Sequence, residues 1–420
     1  MESKIWMAEI LSRLASKIGL RTERAPLQFI ARFLNFHRLR TNAPVSALNV
    51  ENVASILCEW WTTNGRSKLH ADLQTLQSCK IVDSALVLPP GFSLPKGILL
   101  GQYILFQWEV IRRTSASEKS HFFRRSIRGF HPEVYAVEHP AACELGGQNP
   151  TVHWLESGRP QGSWVHSVFS PDSLPDGIRK TPRVAVQAHF HYPELAPDLA
   201  RRLVLNKTDF DLFVSSDSES KVEQLKASFS AIDRNVIFRV MPNKGRDIGP
   251  LLTGFRDEIE SERYDIWCHV HGKRSSANQS KIGDDWRNFL WENLVGGNYP
   301  MLDIAVDAFA ADPILGLLFA EEPHLVGWND NRKTAESLAE RMGLSVPFPE
   351  YFDFPVGTMF WFRPEAIRPL LNLKLGWDDY PPEPLPYDGS LLHAIERMLP
   401  LVAKSENFAI ATLRSPGTSW

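Results

Sequence analysis

Val184-Ala185-Val186-Gln187-Ala188, Phe210-Asp211-Leu212-Phe213-Val214, Val236-Ile237-Phe238-Arg239-Val240 and Tyr264-Asp265-Ile266-Trp267-Cys268 are four short apolar runs, rich in β-branched and aromatic residues. Each reads as a strand. Between them the apolar spacing turns helical: Leu195, Leu199 and Leu203, then Val222, Leu225 and Phe229, then Leu252, Phe255 and Ile259. Strand starts recur at roughly 25–30 residues, the length of one β-α unit. Repeated units of this kind build a mostly parallel sheet flanked by helices, so the predicted fold class is α/β. In such sheets ligands sit beyond the carboxyl ends of the strands. That rule says where to look.

The first run is followed by His189 and Tyr192-Pro193, the second by Ser215, Ser216 and Asp217. The third leads into Asn243-Lys244-Gly245-Arg246-Asp247-Ile248-Gly249-Pro250, and the fourth into His269, His271, Lys273, Arg274, Ser275 and Ser276. Four strand ends thus bring polar or charged groups to one edge. In Asn243–Pro250 the two glycines permit a tight turn, and Pro250 suits the first turn of a helix predicted from Ile248. A helix amino terminus flanked by Lys244 and Arg246 suits the diphosphate or base of a nucleotide. Asp247 would serve equally as a plain helix cap, with the basic residues solvated. His269, His271 and Lys273 alternate, so an extended chain points them to one face. A His-x-His pair can hold a metal, but no third ligand of fixed spacing is visible and Lys273 would repel a cation. Phosphate or acceptor contacts are expected here instead, with a structural role for His269 left open.

Farther on, Leu315–Phe319 and Gly357–Arg363 read as a fifth and a sixth strand, the latter ending at Pro364. Trp328-Asn329-Asp330-Asn331 between them is polar enough to be a loop near the pocket. Asp388-Gly389-Ser390 opens a helix with the stripe Leu392, Ile395 and Leu399, and Glu396 and Arg397 lie farther along it. An aspartate at a helix entrance facing a cleft can act as a general base; an ordinary N-cap is the plain alternative.

At 420 residues the chain is long enough for two domains. Three regions suggest themselves: a helical 1–125 of unreadable role, a small helical module with a linker over 126–182, and the β-α region 183–420. In the module Tyr135, His153 and Trp154 are spaced to pin two short helices together. A net charge of -3 argues against nucleic-acid binding, which needs a concentrated basic surface. Charge is nonetheless uneven, with Arg13, Lys17, Arg21, Arg24, Arg32, Arg38 and Arg40 interleaved with apolar residues near the start. Such a stretch suits a solvated helix face or peripheral contact with the inner membrane surface. The apolar run 97–111 is broken by Gln102, Gln107 and Glu109 and reads as a buried helix or strand pair, not a membrane span. Scattered cysteines (Cys58, Cys79, Cys143, Cys268) and a charged start predict a cytoplasmic protein.

Several of these segments, taken in order, resemble the rhamnan synthesis protein F family: His189 with Tyr192-Pro193, "FDLFV", "NKGRDIGP", "YDIWCHVHGKRS", "GDDWR" (Gly283 to Arg287), "GTMFWFRP" and "DGSLLHAIER". The stretch from Phe130 to Arg159 resembles a short helical module found beside bacterial polysaccharide glycosyltransferases. The family resemblance implies a GT-A-like transferase that moves a deoxyhexose, typically rhamnose from a deoxythymidine diphosphate donor, onto a cell-surface polysaccharide or lipopolysaccharide. It implies donor binding by His189, Asn243, Lys244, Gly245, Arg246, Asp247, His271 and Lys273, with Asp388 as the base of a single inverting displacement. Trp286, Arg287, Thr358, Glu396 and Arg397 then fall on the acceptor side or behind the site. GT-A enzymes carry a metal-binding Asp-x-Asp where this chain has His269-Val270-His271, which speaks against a divalent cation and leaves cationic side chains to neutralise the departing diphosphate. The rival expectation is a non-catalytic scaffold of a polysaccharide assembly complex. A GT-B transferase would need a second β-α series before residue 170, and a phosphotransferase a glycine-rich phosphate loop; neither is seen.

Overall fold

A computed structural model describes residues 65–88, 90, 94, 99–113, 124–143, 148–172, 181–272, 280–323, 327–386 and 388–420. The basic amphipathic stretch of the first forty residues, Lys273 and Arg274 lie outside the described residues. The chain forms two compact units, one amino-terminal and running to Val165, the other beginning at His166.

The amino-terminal unit is helical: α1 (Gly65–Ser78), α2 (Leu100–Arg113), α3 (Pro132–Glu138) and α4 (Pro150–Glu156). The broken apolar run is helix α2, with Tyr103, Leu105 and Trp108 buried. Among the described residues no helix is long and apolar enough to cross a membrane. Helices α3 and α4 start alike. A side chain caps each, His131 Nδ1 accepting from Val134 N and Asn149 Oδ1 from Thr151 N, and a proline takes the first turn where its missing N–H costs nothing. Tyr135 and His153 join them at 2.7 Å (Oη to Nδ1), and Trp154 stacks on Phe130 at 4.3 Å. The spacing of these aromatics therefore does pin the two helices.

The second unit is an α/β sheet of eight strands flanked by helices. Its strands are β1 (Ser167–Phe169), β2 (Val184–His189), β3 (Asp211–Ser216), β4 (Val236–Val240), β5 (Ile266–His271), β6 (Leu315–Ala320), β7 (Phe360–Phe362) and β8 (Ala409–Leu413). Their order is β1-β8-β6-β7-β5-β2-β3-β4, and every neighbouring pair is parallel except those made by β7. Helices α5 (Ala196–Val204), α6 (Glu219–Phe229), α7 (Ser280–Leu294) and α8 (Met301–Ala311) pack with Val186, Ala188, Val214 and Cys268 on one face. The other face, with Ala185, Phe213, Trp267 and Phe360, is covered by α9 (Arg332–Met342), α10 (Leu391–Ser405) and the segment after β4. Strands covered on both sides are apolar along most of their length, which is why they read as continuous runs. The buried polar exceptions Gln187, His189, Ser215, Ser216, His269 and His271 gather toward their carboxyl ends. Fully burying one such side chain stabilises the fold by roughly 1.5–3 kcal/mol.

Two features differ from the sequence expectation. Strands β1 and β8 extend the sheet beyond β6, so it starts before residue 183. And the helix expected from Ile248 is not regular: Pro250–Gly254 forms a wider π-type turn, closed by Phe255 N to Pro250 O at 3.0 Å, before a short helix Arg256–Glu260. Proline lacks the N–H of a regular first turn and glycine is a poor helix former, so a tight α-helical start is not enforced. No long helix directs its amino end at the strand edge here.

Topology locates the crevice. From β2 the chain steps outward to β3 and β4, then returns to β5 on the other side of β2. This is the switch point at which open α/β sheets bind ligands. The residues that flank it are His189 and His271, which are register partners.

Candidate functional site

Ser215, His189 and His271 stand side by side at the ends of β3, β2 and β5. His189 Nδ1 and Ser215 Oγ are 2.9 Å apart, and burial lowers the imidazole pKa to about 3, against the pull of Asp247. His189 is therefore neutral at physiological pH. One layer deeper Gln187 and His269 pair, with His269 Nδ1 hydrogen-bonded to Gln187 Oε1. The loop after β4 lays Asp247 against this row: its Oδ2 is 3.8 Å from Nε2 of both His269 and His271. Burial alone would raise the Asp247 carboxyl pKa, but His271 and His269 outweigh it and hold the group well below the usual carboxylate range. Asp247 is thus an inward-facing anion rather than a helix cap.

The loop that carries Asp247 turns through left-handed Gly245 (φ 69°) and Arg246 (φ 49°). A Cβ at Gly245 would lie 2.8 Å from the Tyr380 ring and 2.9 Å from Gly249 Cα, so only glycine fits. This turn sends Asp247 in and its basic neighbours out. Lys244 Nζ meets Asp378 Oδ1 at 2.5 Å, and Arg246 makes a two-pronged contact to Glu383 at 2.8 and 3.2 Å. Arg246 holds the Glu383 carboxyl below its usual range, as Lys244 does Asp378. The cations predicted for a diphosphate are thus already paired with exposed carboxylates, and Asn243 is exposed beside them.

From His271 a chain of contacts crosses the sheet edge. His271 Nε2 donates to Gly357 O at 2.7 Å, and Gly357 N donates to Glu396 Oε1 at 2.6 Å. Glu396 Oε2 accepts from Arg397 at 3.3 Å, and the Arg397 guanidinium lies 3.7 Å from Asp388 Oδ1. Asp388 in turn accepts from the Asn331 side chain at 2.6 Å and the Asp330 N–H at 3.4 Å. Ser390 is the N-cap of α10, its Oγ accepting from His393 N, so the capping alternative for Asp388 does not hold. The polar loop Trp328–Asn331 does adjoin the site, as the docking partner of that carboxylate.

Trp286 stacks on Trp420 at 5.0 Å and packs behind Gly357, where a Cβ would come within 3.1 Å of its ring. Arg287 instead serves its own helix, 2.6 Å from Asp284 and over the Trp291 ring at 5.4 Å. Thr358 follows Gly357 with φ 56°. His271 Nε2 is engaged with the Gly357 carbonyl and His269 Nδ1 with Gln187 Oε1. Among the described residues no three His, Cys, Asp or Glu side chains are grouped to hold a metal ion. A hollow of about 490 Å³ lined by Met342, Leu344, Val346, Leu373 and Glu406 adjoins the carboxyl end of α10. That is a helix length, roughly 22 Å, from Ser390, so it is no part of this site.

Sequence reasoning missed Asn331, Gly357, Asp378 and Glu383 as individual participants. Gly357 carried a signal as a glycine at a strand entrance, and Asn331 only as part of the polar loop Trp328–Asn331.

The chain spans about a third of the length of the curated relatives it matches. Two proteins called Uncharacterized protein WxcX, from strains B100 and ATCC 33913 of Xanthomonas campestris pv. campestris, are each 29% identical over 240 residues, 56% of this chain and 33% of theirs. Among solved structures, glucosyl-3-phosphoglycerate synthase from Mycobacterium tuberculosis, in complex with Mn2+, UDP and phosphoglyceric acid, is 11% identical with a TM-score of 0.27, over 55% of this chain and 68% of that one. A mycobacterial protein is similar at 11% identity and a TM-score of 0.25, over 44% and 54%. Scores this low carry no argument about fold or chemistry. The sequence profile described as Rhamnan synthesis protein F, by contrast, matches residues 152–408, taking in Asp247, His271, Gly357 and Asp388. The chain belongs to the rhamnan synthesis protein F family.

Proposed function

We propose that this chain is a glycosyltransferase of polysaccharide or lipopolysaccharide assembly, moving a deoxyhexose such as rhamnose from a nucleoside-diphosphate donor to a glycan acceptor. One observation carries the reading. A continuous set of contacts links Asp247 at the switch-point crevice to Asp388 on the far side of the sheet edge, through His271, Gly357, Glu396 and Arg397. Family membership supports the glycan side of it. The cytoplasmic side of the membrane, where nucleotide sugars are made, is the fitting location, and the basic first forty residues suit a peripheral place there.

In this reading the donor lies in the crevice between the ends of β2 and β5, with its diphosphate near His189, His271 and the expected Lys273. Lys244 and Arg246 reach the diphosphate by exchanging Asp378 and Glu383 for it. The acceptor hydroxyl lies at Asp388, whose orientation Asn331 and Arg397 fix. Asp388 takes the hydroxyl proton as that oxygen bonds to the anomeric carbon, the bond from carbon to diphosphate breaks, and the nucleoside diphosphate leaves with inversion.

Thermal shift with a panel of nucleotide sugars and nucleoside diphosphates tests this. A ligand present at a hundred times its Kd stabilises the folded chain by about 2.7 kcal/mol. At least one nucleotide sugar should raise Tm and be turned over. If none does, a non-catalytic scaffold is the better reading.

A further inference from the structure

We propose that Thr358 contacts the sugar of the donor through its hydroxyl, and that Glu396 is the positioning residue that holds it there. The proposal deepens the transferase reading and rests on it. Gly357 and Thr358 are consecutive left-handed residues, at φ 84° and 56°. Glycine adopts that region freely, whereas a β-branched residue there is an outlier. Such strain persists only where the surroundings over-determine it, and it concentrates at functional sites.

Here they do over-determine it. Glu396 Oε1 takes the Gly357 N–H at 2.6 Å, His271 Nε2 donates to the Gly357 carbonyl at 2.7 Å, and Thr358 N donates to Pro355 O at 2.9 Å. A Cβ on Gly357 would lie 2.8 Å from Leu290, so the corner is also walled from behind. Two buried ionisable side chains thus each make one hydrogen bond with the peptide groups of one glycine.

The corner is the entrance to β7, the strand antiparallel to both β5 and β6. Its first residues therefore stand at the edge where β5 delivers His271, beside the switch point. Among the described residues nothing hydrogen-bonds the Thr358 hydroxyl, although the residue is only 8% exposed. A neutral group that both donates and accepts matches a sugar hydroxyl; a phosphate would call for a cation.

Calorimetric titration of the full chain with dTDP-rhamnose and with dTDP separates the alternatives. Thr358→Val keeps the shape and removes the hydroxyl; it should weaken dTDP-rhamnose by about fivefold to tenfold and leave dTDP unchanged. Thr358→Ser should bind both like the parent. Glu396→Ala should reproduce the selective loss without touching the ligand, and Glu396→Gln, which can still accept from Gly357, should restore much of it. Unchanged dTDP-rhamnose binding by Thr358→Val, or equal losses for both probes, overturns the proposal while leaving the transferase reading intact. Failure of the parent chain to bind either probe or any other nucleotide sugar of the panel overturns both.

Discussion

Lowering the pH from 7 to 4.5 should remove stability from this protein through His189. In the folded chain burial holds that imidazole at about 3, whereas in the unfolded chain an ordinary histidine takes its proton near 6.5. Below 6.5 the unfolded state therefore binds one proton more than the folded state, and stability falls with pH. The limiting slope is about 1.4 kcal/mol per pH unit, and the loss between pH 7 and 4.5 integrates to about 2.5 kcal/mol. The contribution is fully present above 6.5 and is exhausted only as pH falls through the folded value. Asp247 acts in the same direction but in a lower window, because a depressed carboxylate loses its advantage only below the unfolded value near 3.9. The range from 7 to 4.5 thus isolates the histidine. Urea unfolding followed by tryptophan fluorescence, at pH 7 and 4.5, would compare the parent chain with His189→Asn, which can still bond Ser215. The variant should lose about 2.5 kcal/mol less than the parent on acidification. Equal losses would refute a buried neutral His189.

Gly245→Ala should lower stability by about 1–3 kcal/mol, since it forces a side chain into a left-handed position against the Tyr380 ring and Gly249; a denaturation midpoint reads it. Asp388→Asn should reduce kcat by roughly 10²–10⁴-fold while nucleotide binding is retained, because the amide keeps an acceptor for Asn331 but cannot take a proton; unchanged turnover removes Asp388 from the chemistry. Glu383→Gln should leave the melting temperature unchanged, the pair being half-exposed, yet tighten nucleoside-diphosphate binding by releasing Arg246; titration with dTDP at low salt checks it.

The sheet was legible because its inner strands are covered on both faces and so cannot hide their apolar runs. Strands β1 and β8 were not: one is three residues long at an edge, and the other, Ala409–Leu413, follows a 15-residue helix so closely that its own periodicity is short. Which groups meet at the strand ends was legible in the same way, since the end of a strand is fixed once the strand is. The direction in which a loop points them was not. Asn243–Pro250 advertises two cations and one anion, and a reading by charge assigns the cations to the ligand. Gly245 and Arg246 decide where each group goes, because two left-handed residues in succession rotate Asp247 toward His269 and His271 and turn Lys244 and Arg246 toward Asp378 and Glu383. Those last two partners lie well over a hundred residues downstream, where no local pattern announces them.

The same geometry explains why adjacent Glu396 and Arg397 matter more together than apart. Neighbouring helix positions point about 100° apart, so α10 can serve two directions from a single turn. Glu396 reaches Gly357 and through it His271, while Arg397 reaches Asp388. Because the two side chains also bond each other, neither reach is independent. Removing Arg397 would leave Glu396 a buried carboxylate with one partner fewer, and removing Glu396 would leave Arg397 a buried cation with Asp388 as its remaining acidic partner. Paired in this way, the two side chains join the contacts on one side of the crevice to those on the other. Under the proposed reading, a donor seated beside His271 and an acceptor at Asp388 would be coupled through this one turn of α10.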